Sequence, residues 1–214
     1  METGDTVVLL HGLAAGRLNM WPIARALTRR GYHALNLSYP SRSQSVDRLV
    51  DPLGDEIERR ARGMVHFVTH SMGGLVARAL LARRRPARLG RVVMLGPPNE
   101  GSEWVQLLAR IGLDELILRE ARHVLTPNRS AATRQSLGEV DYPVGIIAGA
   151  RPIDPILPRL VLPRPNDGKV SVAATRLAAA ADHIVLRVPH TMMLVSPCVH
   201  RQVIAFLREG RFNR

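Results

Sequence analysis

The sequence predicts an α/β protein of three layers, with about six mostly parallel strands and helices on both faces of the sheet. Short apolar or β-branched runs alternate with longer amphipathic runs along the 214 residues, as in chains built from βαβ units. Glycine and proline close several of the amphipathic runs, for example Gly31 and Pro86, where helices typically stop. The length suits one domain, and no internal repeat is present. We therefore expect a single domain over residues 1–214.

Each predicted element follows from its own run of residues. The six strands are predicted at Thr6–Leu10, His33–Ser38, Met64–Thr69, Arg91–Gly96, Tyr142–Ala148 and Ile184–Val188. The helical regions are predicted at Met20–Arg30, Ser45–Arg62, Met72–Arg85, Trp104–Val124 and Pro197–Arg208. Pro52 and Gly54 predict that the second of these regions is broken into two pieces, because proline removes a backbone donor. The proline-rich stretch 152–165 is interpreted as an active-site loop, and no large cap domain is expected.

The charge of the chain is strongly positive, and almost all of it comes from arginine. The net charge is +12, and Lys169 is the only lysine. The arginine clusters lie at or near the ends of predicted helices, where cations suit the helix dipole and water. A solvated surface is therefore the favoured interpretation, and a face for phosphates or lipid headgroups is the alternative. Aromatic residues make up 4 % of the chain, too few to build stacking platforms, so no nucleic-acid partner is expected.

Several classes of protein are excluded or disfavoured by the rest of the composition. The single cysteine, Cys198, rules out an internal disulfide framework. No apolar run is long enough to span a bilayer, so no transmembrane segment is expected, while a peripheral membrane contact stays open. The first residues lack the pattern of a signal peptide. We therefore expect a cytoplasmic protein, or a secreted one if a leader has been removed.

A short segment between the third predicted strand and its helix predicts a nucleophile. Thr69-His70-Ser71-Met72-Gly73 follows the apolar run 64–68 and precedes the small-residue stretch 74–80. A sharp turn between strand and helix lifts a serine side chain off the sheet and points helix amides at developing charge. The segment resembles the nucleophile elbow of lipases and esterases with the α/β-hydrolase fold, with Thr69 in place of the first glycine. This resemblance implies that Ser71 is the catalytic nucleophile.

The same resemblance implies an acid and then a histidine later in the chain. His190 follows the last predicted strand, on a loop from which an imidazole can reach Ser71, and is the expected general base. Asp167 stands in Asn-Asp-Gly-Lys-Val, 23 residues before His190, and resembles the triad acid of bacterial lipases. Asp154, six residues after the predicted end of the fifth strand, and Asp182 remain alternatives for the acid.

The resemblance also implies an oxyanion hole and a substrate site. Backbone amides of Met72, directly after the nucleophile, and of Leu13, in the loop after the first strand, are the expected donors. Gly12 lets the chain pass close to the site, and His70 is expected to orient its neighbours. Pro97 lies in Gly-Pro-Pro-Asn-Glu-Gly-Ser, which resembles a loop beside the nucleophile of acyl-cleaving lipases.

Trp104 opens an apolar-rich helical region that admits two interpretations. One face of this region covers the core, or the region lines an acyl pocket and forms a small lid within residues 100–136. The sequence leaves both open. Gly12, His70, Pro97 and Trp104 are the candidate substrate-binding residues.

The resemblance covers residues 6–207 and implies a carboxylic-ester hydrolase that works through an acyl-enzyme, without metal or cofactor. The same triad serves a thioesterase or an acyltransferase, and the arginines would suit a phospholipid hydrolase. A non-catalytic binding module that keeps only the fold is the rival from a different class, favoured by Thr69. The expected ligand is a small-molecule or lipid ester.

Overall fold

The computed structural model describes residues 4–153 and 161–214, and its centre is one sheet of parallel strands. The strands are β1 (Thr6–Leu10), β2 (His33–Leu37), β3 (Val65–His70), β4 (Leu89–Leu95), β5 (Val144–Gly149) and β6 (Asp182–Leu186). They lie in the order β2-β1-β3-β4-β5-β6. Leu10 pairs with Thr69, and His70 with Leu95, so the carboxyl ends of the three central strands are level. The predicted six-stranded parallel sheet is confirmed.

Helices connect the strands and cover the sheet. They are α1 (Arg17–Thr28), α2 (Val46–Arg60), α3 (Gly73–Arg83), α4 (Glu103–Arg110), α5 (Asp114–Leu118), α6 (Arg122–Leu125), α7 (Ala131–Leu137) and α8 (Pro197–Glu209). The last helix begins with proline in its first turn and ends at Gly210 in the left-handed conformation, the positions that these residues favour. Among the described residues, no helix has the length and apolar character needed to cross a membrane.

The predicted break in the second helical region is wrong. α2 runs without interruption through Pro52 and Gly54. Leu49, Leu53 and Ile57 recur at helical spacing and are buried against the sheet, and this packing outweighs the lost hydrogen bond at proline. The sixth strand also begins two residues before its predicted start, so His183 lies inside β6 rather than ahead of it.

Two apolar layers pack on opposite faces of the sheet. Side chains alternate along each strand, so Val8 and Leu10 face the layer of α2, α3 and α7, while Val7 and Leu9 face α1 and α8. All four side chains are fully buried. Helices on both faces explain why the central strands β1, β4 and β5 are mostly apolar instead of alternating with polar residues.

Charge is distributed unequally between these two layers. On the α2–α3 layer, arginines and carboxylates pair: Arg84 contacts Asp55 at 2.8 Å and Glu58 at 3.0 Å, and Arg83 contacts Asp51 at 3.4 Å. The cluster at residues 83–85 is therefore engaged by carboxylates, in line with its interpretation as solvated surface. The α1–α8 layer differs, as described below.

Residues 103–137 form the helical segment α4–α7, which extends past the carboxyl edge of the sheet. The buried side chain of Arg129 attaches this segment to the loop after β4. Its Nε donates to the carbonyl of Val124 at 2.6 Å, and its Nη2 donates to the carbonyl of Pro98 at 2.7 Å. Nη1 donates to the carbonyl of Asn99. Burial lowers the pKa of Arg129 to about 10. The guanidinium thus joins the end of α6 to the loop after β4.

Candidate active site

The segment around Ser71 forms a tight turn between β3 and α3. Ser71 has φ 54°, a left-handed conformation that costs a non-glycine residue of order 1 kcal/mol or more. Its amide donates to the carbonyl of Leu95 at 2.8 Å. A Cβ at Gly73 would overlap the carbonyl oxygen of Leu10, so glycine is required where the helix starts beside β1. The turn presents Ser71 at the carboxyl edge of the sheet.

Thr69 fits the position that glycine occupies in the related motif. It is a regular strand residue, paired with Leu10 on one side and Met94 on the other. Because its backbone is not left-handed, a Cβ is tolerated there. Its buried hydroxyl has no hydrogen-bond partner among the described residues. The departure from the motif therefore leaves the turn intact.

Asp167 and His190 lie together. Nδ1 of His190 is 2.7 Å from Oδ2 of Asp167, and both side chains are buried. The amides of Lys169 and Val170 donate to Oδ1 at 2.9 and 2.8 Å, so both oxygens of the Asp167 side chain have hydrogen-bond partners. The amide of His190 also donates to the carbonyl of Asp167 at 3.0 Å. With Nδ1–H directed at the carboxylate, Nε2 is left as the proton acceptor of the neutral ring.

Two glycines allow this pair to approach the sheet. Gly96 follows β4 with φ 53°, and a Cβ there would stand 3.0 Å from Nδ1 of His190 and 3.1 Å from Oδ2 of Asp167. Gly149 ends β5, where a Cβ would lie 2.6 Å from the Cβ of Asp167. Neither glycine is among the site residues predicted from the sequence, although Gly96 opens the Gly-Pro-Pro-Asn-Glu-Gly-Ser motif; their positions at strand ends are the signal that points to them.

The other candidates for the acid do not share this location. Asp182 begins β6 at the opposite edge of the sheet and accepts from the amide of Phe212 at 2.8 Å and from Arg214 at 2.6 Å. Asp154 lies outside the described residues. Of the carboxylates that the structure describes, Asp167 is the one in contact with His190.

Ser71 and His190 line the same cavity of about 560 Å³. Gly12, His70 and Trp104, three of the candidate substrate-binding residues, also lie on its wall. The fourth candidate, Pro97, packs over Gly74, and its neighbour Pro98 lies on the cavity wall. Further apolar wall residues come from the helical segment, namely Val105, Leu108, Ile117, Leu118 and Leu125. Three of these also belong to the core cluster, so the segment both covers the core and lines the cavity.

The two amides predicted for an oxyanion hole have no hydrogen-bond acceptor within residues 4–153 and 161–214. Among the described residues, neither the N–H of Leu13 nor that of Met72 donates to another group. Leu13 lines the cavity beside Ser71, and Met72 stands at the start of α3. Donors without partners at this edge are available to a ligand.

The loop that carries Leu13 is braced by the segment after β2. Tyr39 stacks on His11 with ring centroids 4.1 Å apart and planes inclined by 9°, and its hydroxyl donates to the carbonyl of His11. The Tyr39 amide donates to Nε2 of His11 at 3.3 Å, and Ser41 accepts from the amide of Ala14 at 3.0 Å. Ala14 itself has φ 52°. These contacts fix the loop, and neither Tyr39 nor Ser41 belongs to a motif that would identify them from sequence.

His70 connects the elbow to the loop of His190. Its Nε2–H donates to the carbonyl of His190 at 3.1 Å, and the two ring centroids are 4.6 Å apart. Burial, with a smaller effect of His190, lowers the pKa of His70 to about 3. Because the ring of His70 stays neutral, it does not repel the positive charge of an imidazolium at His190.

Stability is expected to fall in acid because several neutral histidines are buried. Burial lowers the pKa values of His11, His66 and His70 below the ordinary 6.5. Since the unfolded chain binds protons that these rings do not, their contribution is complete above about pH 6.5 and declines below it. For His70 alone, the free energy of unfolding should fall by about 2 kcal/mol at about pH 5.

Urea unfolding near neutrality and near pH 5 measures this loss. His70→Gln should reduce the pH dependence, while His123→Gln, at an exposed position, should leave it unchanged. Equal pH dependence in both variants and in the wild type would contradict the assignment to His70.

Comparisons with known proteins agree with this architecture. A family model described as the alpha/beta hydrolase fold matches residues 5–114. The lipase BlEst2 of Bacillus licheniformis in its mature form superposes with a TM-score of 0.78 at 18% identity, over 98% of this chain and 93% of that chain. The metagenomic carboxyl esterase MGS0156 superposes with a TM-score of 0.75 at 18% identity, over 90% of this chain and 66% of that chain.

A more distant similarity is to the phospholipase PlaB of Legionella pneumophila, with a TM-score of 0.57 at 18% identity over 81% of this chain and 46% of that chain. Identities this low show a shared fold alone. No curated protein matches the sequence.

Proposed function

The chain belongs to the α/β-hydrolase fold family, and we propose that it is a serine hydrolase that cleaves carboxylic esters through an acyl-enzyme on Ser71. The observation that carries the proposal is the buried contact of 2.7 Å between His190 and Asp167, on the wall of the cavity that Ser71 also lines. A hydroxyl, a base and an anion that fixes the base are the parts that nucleophilic catalysis by serine requires.

The proposed reaction assigns one step to each of these groups. Nε2 of His190 takes the proton of the Ser71 hydroxyl as Oγ forms a bond to the ester carbonyl carbon. The same Nε2–H then protonates the departing alkoxide, which leaves as an alcohol. Asp167 holds Nδ1–H throughout and stabilises the imidazolium. Water, activated by His190, cleaves the acyl-enzyme and releases the acid, and no step requires a metal or a cofactor.

The oxyanion of each tetrahedral intermediate is proposed to bind the amides of Leu13 and Met72. Removing one such donor costs roughly 3–4 kcal/mol of transition-state stabilisation in other serine enzymes. The brace from Tyr39 and Ser41 supports this role, because donors that are fixed before the reaction need no reorganisation during it. The mainly apolar wall of the cavity favours esters with an apolar acyl group.

A fluorophosphonate probe tests the proposal directly. Such a probe phosphonylates only an activated serine, so it should label Ser71 and abolish hydrolysis of p-nitrophenyl butyrate. Peptide mapping identifies the labelled residue, and protein unfolded in urea is the control. An unlabelled Ser71 in the folded protein would instead favour a non-catalytic binding module.

A further inference from the structure

The sequence segments that build the α1–α8 layer contain several arginines and one carboxylate, Glu209, which is the last residue of α8. Five arginines and no acidic residue lie between Asp5 and Asp47, and three arginines and no acidic residue lie between Asp182 and Glu209. On the opposite layer, the carboxylates of α2 pair with the arginines of α3. The arginines of the α1–α8 layer are therefore not balanced by carboxylates of their own segments, unlike the arginines of α3.

Large apolar side chains are exposed on this same layer. Leu18 and Trp21 in the first turns of α1 are 81% and 55% exposed, and Met192 and Val195 are 46% and 45% exposed. We call these four residues the apolar rim. Contiguous exposed apolar surface is uncommon on a protein that works alone in water, and it indicates an interaction site.

The apolar rim adjoins the cavity that contains Ser71, and we call this side of the cavity its mouth. Asn19, Thr191 and Leu194 line that cavity, and each is a chain neighbour of a rim residue. Met20 and Met193 pack in one core cluster, which brings the start of α1 against the turn after His190. A surface that covers the rim would therefore also meet the cavity mouth.

The cations around the rim determine what kind of partner fits it. The Arg25 guanidinium stands 5.4 Å from the ring centroid of Trp21, and Arg17 adjoins Leu18 in sequence. Arginine beside exposed tryptophan and leucine is typical of surfaces that insert apolar side chains among lipids and hold anionic headgroups. On the α5 side of the cavity the charge is mixed. Asp114 and Glu115 lie in α5, and Glu115 pairs with Arg122 at 2.9 Å.

We propose that the apolar rim docks on an anionic lipid surface, with α1 rather than α5 closest to the headgroups. This proposal goes beyond the proposed ester hydrolysis, because docking requires no turnover. It depends on the rim for insertion and on the arginines of α1 for attraction. Each cation near an anionic bilayer strengthens binding by about fivefold.

Co-sedimentation of the Ser71→Ala protein with vesicles tests the docking while preventing hydrolysis. Binding should be strong to vesicles of phosphatidylcholine mixed with phosphatidylglycerol and weak to phosphatidylcholine alone. Leu18→Ser/Trp21→Ser should weaken it by about tenfold or more. Arg17→Gln/Arg25→Gln should weaken it by about 25-fold. Raising the ionic strength to about 1 M, where the Debye length is about 3 Å, should release the protein.

Matched substitutions elsewhere provide the controls. Met64→Ser removes an exposed apolar side chain at the opposite edge of the sheet, and Arg48→Gln/Arg62→Gln removes two exposed arginines outside α1. Both should bind vesicles like the parent protein. Equal losses in the test and control pairs would overturn the proposal, since binding would then depend on net charge alone. Dimerisation through the rim would also overturn the proposal. Binding to duplex DNA would do so as well, if the DNA competes with vesicles and binds the Leu18→Ser/Trp21→Ser protein as tightly as the parent protein.

Discussion

Ser71→Ala is expected to lower kcat for p-nitrophenyl butyrate by about 10⁶-fold, the scale seen when a serine nucleophile is removed. Without Oγ there is no acyl-enzyme, and the remaining amides and cavity can only assist direct attack by water. Steady-state kinetics with purified protein measures the loss. The variant should fold normally, because alanine keeps the Cβ of the turn.

Two further substitutions separate chemistry from structure at this position. Ser71→Gly should also be inactive, but should be more stable than wild type by about 1 kcal/mol because φ 54° costs glycine nothing. Ser102→Ala, on the wall of the same cavity, should change kcat by less than about tenfold, within the range of a side chain that makes no bond in the reaction. Activity retained by Ser71→Ala would discard the proposed nucleophile.

Asp167→Asn is expected to lower kcat by about 10⁴-fold near neutral pH. The amide can donate to Nδ1 of His190, which moves the ring proton to Nε2 and leaves no acceptor for the hydroxyl proton of Ser71. The amide oxygen can still accept from Lys169 and Val170, so the loop should keep its shape. A pH–rate profile and a melting curve distinguish this chemical effect from misfolding.

Asp154 and Asp182 provide the comparison for this prediction. Asp182→Asn loses ionic contact with Arg214 and should affect stability more than turnover, and Asp154→Asn should be nearly as active as wild type. Full activity in Asp167→Asn together with inactivity in Asp154→Asn would transfer the role of the acid to Asp154.

The sequence was informative where one local pattern determines one local structure. Alternating runs predicted six parallel strands, and a serine between a strand and a small-residue helix predicted the turn at Ser71. The contact between Asp167 and His190 could be anticipated only from motif order, because the two residues are distant in the chain. The continuity of α2 through Pro52 could not be anticipated from the sequence, because it depends on the burial of α2 against the sheet.

The surroundings of the site were less predictable for the same reason. Tyr39 and Ser41 act on a loop that lies 28 and 27 residues earlier, and no spacing rule connects them. Pro97 and Pro98 are chemically identical neighbours, and only the path of the chain after β4 decides which one meets the cavity. Such details arise from packing between distant segments, which local sequence patterns do not encode.

Arg129 has a consequence for engineering. Its N–H groups bind the carbonyls of Pro98, Asn99 and Val124. The chain is therefore held in place both before and after residues 103–118. That stretch supplies Trp104, Leu108 and Ile117 to the cavity wall. We therefore expect that residues 105–118 can be exchanged to change which apolar ligands the cavity accepts, while Glu103 and Trp104 keep their contacts with Ser171 and Gly168 beside Asp167.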